Sequence, residues 1–124
     1  MSLLVTRYKA GIKPRLFDPY HIVLVVENKK RLLERYGDTV KNIFFALTER
    51  HDFDVLKVCV AHDHIHLMVE RNIEMSHSHI IEILKNESAV ELLKSHPELE
   101  NNFSNGVIWS DGCFLSSVGG AYVA

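Results

Sequence analysis

The sequence predicts an α+β fold of the ferredoxin-like, split βαβ kind, with one antiparallel sheet and helices on one face. Three observations predict it. Strand-like and helix-like segments follow one another in the order β, α, β, β, α, β along 124 residues, a length suited to a single domain over 1–124. The stretch "HDHIHLMVE", residues 62–70, alternates with period two, so His64, His66 and Met68 share one face while Ile65, Leu67 and Val69 share the other. The preceding run "FDVLKVCVA", residues 53–61, is separated from it only by His62-Asp63, the spacing of a hairpin. Helices over the aliphatic face then leave the histidine face open.

Each element follows from its own residues. "YHIVLVVE", residues 20–27, is rich in β-branched residues and apolar on both faces, as a covered strand is. Such a strand could also leave an edge for a second copy to cover. Asn28 is placed to cap a short helix through Arg35 that Gly37 ends. Asp38 then caps a second helix, with Val40, Ile43, Phe44 and Leu47 at helical spacing, ending near His51. Residues 76–96 are helical again, with a break near Asn86, where Ser88 and Glu91 have the spacing of a capping box. "GVIWSDGCFLSSVGG" contains two short extended pieces, 107–109 and 113–118. No internal repeat or linker divides the chain.

Composition narrows the function classes. The chain is 47% hydrophobic and 24% charged, with no apolar run approaching the ~20 residues that cross a bilayer. With no secretory leader at the start, a cytoplasmic protein without a membrane partner is expected. Cys59 and Cys113 lack metal-ligand spacing and read as buried free thiols. Net charge is −2 and the pI about 6.4, which argues against a protein that coats nucleic acid. The average hides an asymmetry: residues 1–35 hold eight Lys or Arg against three acids, and 36–124 hold six against thirteen. Arg7, Lys9, Lys13 and Arg15 therefore suit either phosphate contacts or a solvated tail.

The histidine strand carries the chemistry. Residues i and i+2 on a strand lie about 6.5–7 Å apart, so the imidazoles of His64 and His66 can converge on one metal ion, completed by water, a phosphate oxygen or a third side chain. Together with Glu70 the spacing also matches the cupins, but a jelly roll cannot house so many helical residues. Glu70 fits as a solvated carboxylate ending the strand. Asp63 shapes the turn and can orient an imidazole. His62, His77, His79 and His96 read as surface histidines, and Trp109 as packing or as a platform for an unpaired base.

With "DHIHLMVE", "YHIVLVV", "IIEILKNESAVELL" and "WSDGCFLSSVGG" in these positions, the sequence resembles the single-tyrosine HUH transposases of small insertion sequences, the insertion-sequence-200-like family, over roughly residues 19–120. HUH denotes histidine, hydrophobe, histidine, here His64-Ile65-His66. The resemblance implies that these histidines hold a divalent ion, Mg2+ or Mn2+, and that a tyrosine becomes joined to a 5′ phosphate of single-stranded DNA. Imidazole is a softer ligand than magnesium favours, so manganese or nickel would also suit. It further implies a homodimer that recognises hairpin ends. The family's tyrosine lies on a C-terminal helix well beyond the valine-glycine pair; here Tyr122 follows Gly119 by three residues. The expectation is thus a domain lacking the usual tyrosine helix, with Tyr122 either the nucleophile or an ordinary aromatic. The family's polar, basic patch reads Asn86-Glu87-Ser88-Ala89, leaving Lys85 and Ser88, with Lys13 and Arg15, as candidate DNA contacts. The competing readings are an inactive DNA-binding or dimerisation module descended from such an enzyme, and a metal-binding domain without nucleic acid.

Overall fold

The computed structural model describes residues 5–7, 15–72 and 74–117. Its elements are β1 (Val5–Arg7), β2 (Arg15–Val25), α1 (Leu32–Arg50), β3 (Phe53–Val60), β4 (His64–Asn72), α2 (His77–Ser95) and β5 (Phe114–Ser117). Every strand pairing is antiparallel: β1, β2, β4 and β3 lie side by side, and β5 pairs with β2. Setting β1 aside, the path β5, β2, β4, β3 with two helices is the expected α+β architecture. No helix among the described residues is long and apolar enough to cross a membrane.

Period two divides the sheet chemically. Ile22 and Leu24 on one side of β2, Val26 just past its end, and Ile65, Leu67 and Val69 on one side of β4 are at most 2% exposed. Val40, Phe44 and Leu47 of α1 and Ile80, Leu84 and Leu92 of α2 are buried in the same cluster. Each such side chain contributes about 1.5–3 kcal/mol on leaving water. Among the described residues, no helix lies over the opposite face of β2, β3 and β4, which carries His21, His64, His66, Lys57 and Cys59.

The structure corrects several expectations. The strand expected from residue 20 begins at Arg15 and lies inside the sheet as β2, so the edges belong to β3 on one side and to β1 and β5 on the other. Residues 5–7 of the basic lead-in add a short strand against it. Asn28 does not cap a helix; it sits at φ 58° in a tight turn, Glu27–Lys29, and α1 starts at Leu32 and runs through Gly37 and Asp38. The physical reason lies across the fold: a Cβ on Gly37 would lie 3.0 Å from Val60 Cγ1, so the glycine permits a close helix–strand approach rather than a stop. α2 is likewise unbroken at Asn86, because Ser88 faces inward at 2% exposure instead of capping a new helix. Glu70 is 1% exposed, opposite the buried Asp54 of β3, and not a solvated strand end. Cys59 and Cys113 are free, but exposed.

Candidate functional site

β4 places the two predicted histidines on the open face. His64 lies opposite Val25, and His66 lies between Val23 of β2 and Cys59 of β3. On β2, His21 lies opposite Met68 and is therefore diagonal to His66. His66 occupies the middle of a row of three imidazoles. Its Nε2 is 2.7 Å from His21 Nδ1, a hydrogen bond in which one nitrogen donates and the other accepts, with the ring centroids 4.7 Å apart. His21, Lys57, Cys59, His66 and Met68 line a concavity of about 70 Å3.

Electrostatics favour the uncharged form of the His66 ring. Burial pushes the His66 pKa below its ordinary 6.5, helped by the neighbouring His21, Lys57 and His64. At neutral pH it thus offers a lone pair rather than a positive charge. His64 Nδ1 lies 3.0 Å from Asp63 Oδ1. A donated Nδ1–H there leaves Nε2 as the lone-pair nitrogen, the arrangement by which carboxylates orient metal-binding imidazoles. The same bond to His64 holds the Asp63 carboxyl below its ordinary range, against the opposing effect of burial. As a donor set, neutral imidazoles suit a borderline divalent cation. Among the described residues no three His, Cys, Asp or Glu side chains are grouped closely enough to enclose one. Water or phosphate oxygens would have to fill the remaining positions.

The other predicted residues are dispersed. Lys85 Nζ donates to the Ser110 carbonyl at 2.8 Å, tying α2 to the loop before β5. Ser88 is not on a DNA-facing surface: its hydroxyl donates to the Lys85 carbonyl at 3.3 Å and accepts from Trp109 Nε1 at 2.9 Å. Trp109 is accordingly core, 5% exposed and 5.9 Å from the Phe44 ring centroid. Lys13 and Tyr122 lie outside the described residues; Arg15 begins β2, and its side chain lies outside them too. His21 was missed by sequence reasoning. The signal existed in the alternation of "YHIVLVV", but only the pairing register of β2 with β4 brings it to His66.

A second concavity, of about 430 Å3, lies at the start of α1 between Lys30, Arg31, Arg35, Tyr36, Leu99 and Phe103. Its cations already have partners. Arg31 pairs with Glu34 at 2.6 Å, Lys30 reaches the Asn102 carbonyl and the Phe103 ring, and Arg35 lies over Tyr36.

Comparison with known proteins agrees with this fold. The family model described as "Transposase IS200 like" matches residues 19–124. The transposases for insertion sequence element IS200 of Salmonella typhimurium strain LT2 and Salmonella typhi are each 28% identical over 103 residues. That match covers 81% of this chain and 66% of each relative, so the chain spans just under two thirds of their length. A protein of Deinococcus radiodurans R1 described as a candidate transposase shares the fold with a TM-score of 0.75 at 18% identity, covering 91% of this chain and 86% of the other. A REP-associated tyrosine transposase, solved bound to a REP hairpin, has a TM-score of 0.60 at 11% identity, covering 91% and 62%.

Proposed function

Since the chain belongs to the IS200-like transposase family, we propose that it is a DNA transposase-type HUH endonuclease domain that binds hairpin-bearing single-stranded DNA and cleaves and rejoins it through a tyrosine. The observation that carries this reading is the sheet face, free of helices among the described residues, on which His64, backed by Asp63, and His66 lie two residues apart. His64 and His66 would hold a divalent ion, Mg2+ or Mn2+, which when bound polarises a phosphate and offsets charge developing on it.

The chain's own groups supply the rest. Asp63 fixes the His64 tautomer, and burial keeps His66 unprotonated. Tyr122 is the candidate nucleophile: its Oη bonds to phosphorus, the P–O3′ bond breaks, the phenol gives up its proton and the departing 3′ oxygen gains one. The resulting 5′-phosphotyrosine keeps the bond energy for the reverse step on a new 3′ end. Lys13 and Arg15 belong to this reading as backbone contacts, and Lys85 would exchange its bond to Ser110 for a phosphate.

Covalent capture tests it: labelled single-stranded DNA with candidate hairpin ends is incubated with Mn2+ or Mg2+ and run on a denaturing gel. The expected adduct disappears in Tyr122→Phe and in His64→Ala/His66→Ala. Hairpin binding without an adduct would leave a DNA-binding module, and neither binding nor adduct would sink the reading.

A further inference from the structure

Among the described residues that line the concavity beside His66, Lys57 is the one lysine or arginine, and it is exposed. We propose that Lys57 is a catalytic, substrate-binding residue: its ammonium holds a non-bridging oxygen of the DNA phosphate that lies against His64 and His66, and so couples DNA binding to metal binding. This rests on the proposed reading of the open sheet face as a metal-dependent DNA site.

Pairing register fixes its place. Lys57 lies opposite Met68 of β4 and Cys59 lies opposite His66, so Lys57 is a diagonal neighbour of His66 on the β3 side. His21, also opposite Met68, is the diagonal neighbour on the β2 side. Diagonal neighbours lie about 7–8 Å apart, within reach of a long side chain. His66 is thus flanked by an imidazole that bonds to it and, on the other side, by an ammonium. The ring feels that charge: after burial and His21, Lys57 is the next cause that lowers the His66 pKa. The ammonium is also uncommitted. Lys85 donates to the Ser110 carbonyl, Lys30 to the Asn102 carbonyl, and Arg31 pairs with Glu34. The Lys57 ammonium makes no hydrogen bond or ion pair with another described residue.

An uncommitted ammonium beside the histidines has an electrostatic consequence. Like charges repel, so Lys57 opposes a lone divalent ion at His64 and His66. A phosphate reverses the balance, because its anionic oxygens can meet both positive groups at once. DNA must then tighten the ion by the same factor as the ion tightens DNA, and Lys57 enlarges that factor by penalising the ion only while the phosphate is away. The same contact serves the chemistry. As the tyrosine attacks, negative charge grows on the non-bridging oxygens, and Lys57 Nζ, donating to one of them, offsets it. Lysine suits this task as a compact charge with three donors on a flexible stem.

Two titrations of the full chain test it. Labelled single-stranded DNA with candidate hairpin ends is bound in a chelator over a range of salt, and Mn2+ is titrated with and without that DNA, the free ion being read by electron paramagnetic resonance. The wild type is compared with Lys57→Gln, Lys57→Arg and Lys41→Gln, an exposed lysine of α1, with circular dichroism as the check on folding. Without metal, we expect the slope of log affinity against log salt to fall by about 0.7 in Lys57→Gln and to hold in Lys57→Arg and Lys41→Gln. With metal, DNA should tighten Mn2+ binding at least about fivefold in the wild type. Lys57→Gln should lose most of that gain yet bind Mn2+ without DNA no more weakly than the wild type, a combination that simple loss of structure does not produce. A wild-type salt slope or an undiminished gain in Lys57→Gln, or no gain in the wild type, overturns the role of Lys57 and leaves the metal reading standing. Failure of the wild type to bind the DNA, or to bind Mn2+ with or without it, overturns that reading and this one with it.

Discussion

Ser88 and Trp109 join α2 to the last loop through one buried hydrogen bond. Ser88→Ala would leave the indole N–H without its acceptor in the core, so we expect a loss of about 1–3 kcal/mol in urea unfolding. Ser88→Ala should cost less in a Trp109→Phe background, since no donor is then stranded. A second pair makes stability depend on pH. Tyr36 Oη donates to Glu98 Oε2 at 3.0 Å, and that bond is the largest cause raising the Tyr36 pKa above 10.0. Glu98 is held below 4.5 by hydrogen bonds, first from its own backbone and then from Tyr36. A lowered carboxylate stabilises the fold above its ordinary pKa and loses this as pH falls through the folded value; a raised tyrosine stabilises below its ordinary pKa and loses this as pH climbs through the folded value. Tyr36→Phe should therefore flatten the stability profile on the acid side below about pH 4.5, in denaturation followed from pH 3 to 7. At this scale His64, His66 and Asp63 were legible because two-residue alternation and a tight turn are local. His21, the inward Ser88 and the buried Glu70 depend on what other elements place beside them.

Among the elements, α1 teaches most about what a sequence hides. Gly37-Asp38 has the chemistry of a stop followed by a cap, yet α1 passes through both because Gly37 meets Val60, a partner in another element. Alanine in a helix interior is worth about 0.8–1 kcal/mol over glycine. With its Cβ 3.0 Å from Val60 Cγ1, Gly37→Ala should gain less than that alone and the full amount in a Val60→Ala background. A denaturant double-mutant cycle measures this, and an equal gain in both backgrounds would show that the close approach constrains nothing. The hairpin of β3 and β4, by comparison, was readable because its turn and both faces sit within one stretch of sequence. β1 was not foreseen, since so short a strand is defined by its partner rather than by its own pattern.

For the whole molecule, the order of elements was enough to anticipate sheet and helix layers, and the resemblance to anticipate the family. Strand lengths, edges and the row of three histidines came from pairing register, which no composition encodes. β5 is an edge strand exposed throughout, with Phe114 at 76% and Leu115 at 41%. If two copies pair through that edge, sedimentation velocity should find a dimer for the wild type and a monomer for Leu115→Glu. The central claim concerns the open face, and one measurement addresses it most directly: paramagnetic broadening of backbone amide signals by Mn2+ in the full chain bound to hairpin-bearing single-stranded DNA. The account predicts the strongest broadening on β2 and β4 around His21, His64 and His66. Broadening centred instead on Lys30, Arg31 and Arg35 at the start of α1, with the histidine face unaffected, would contradict it.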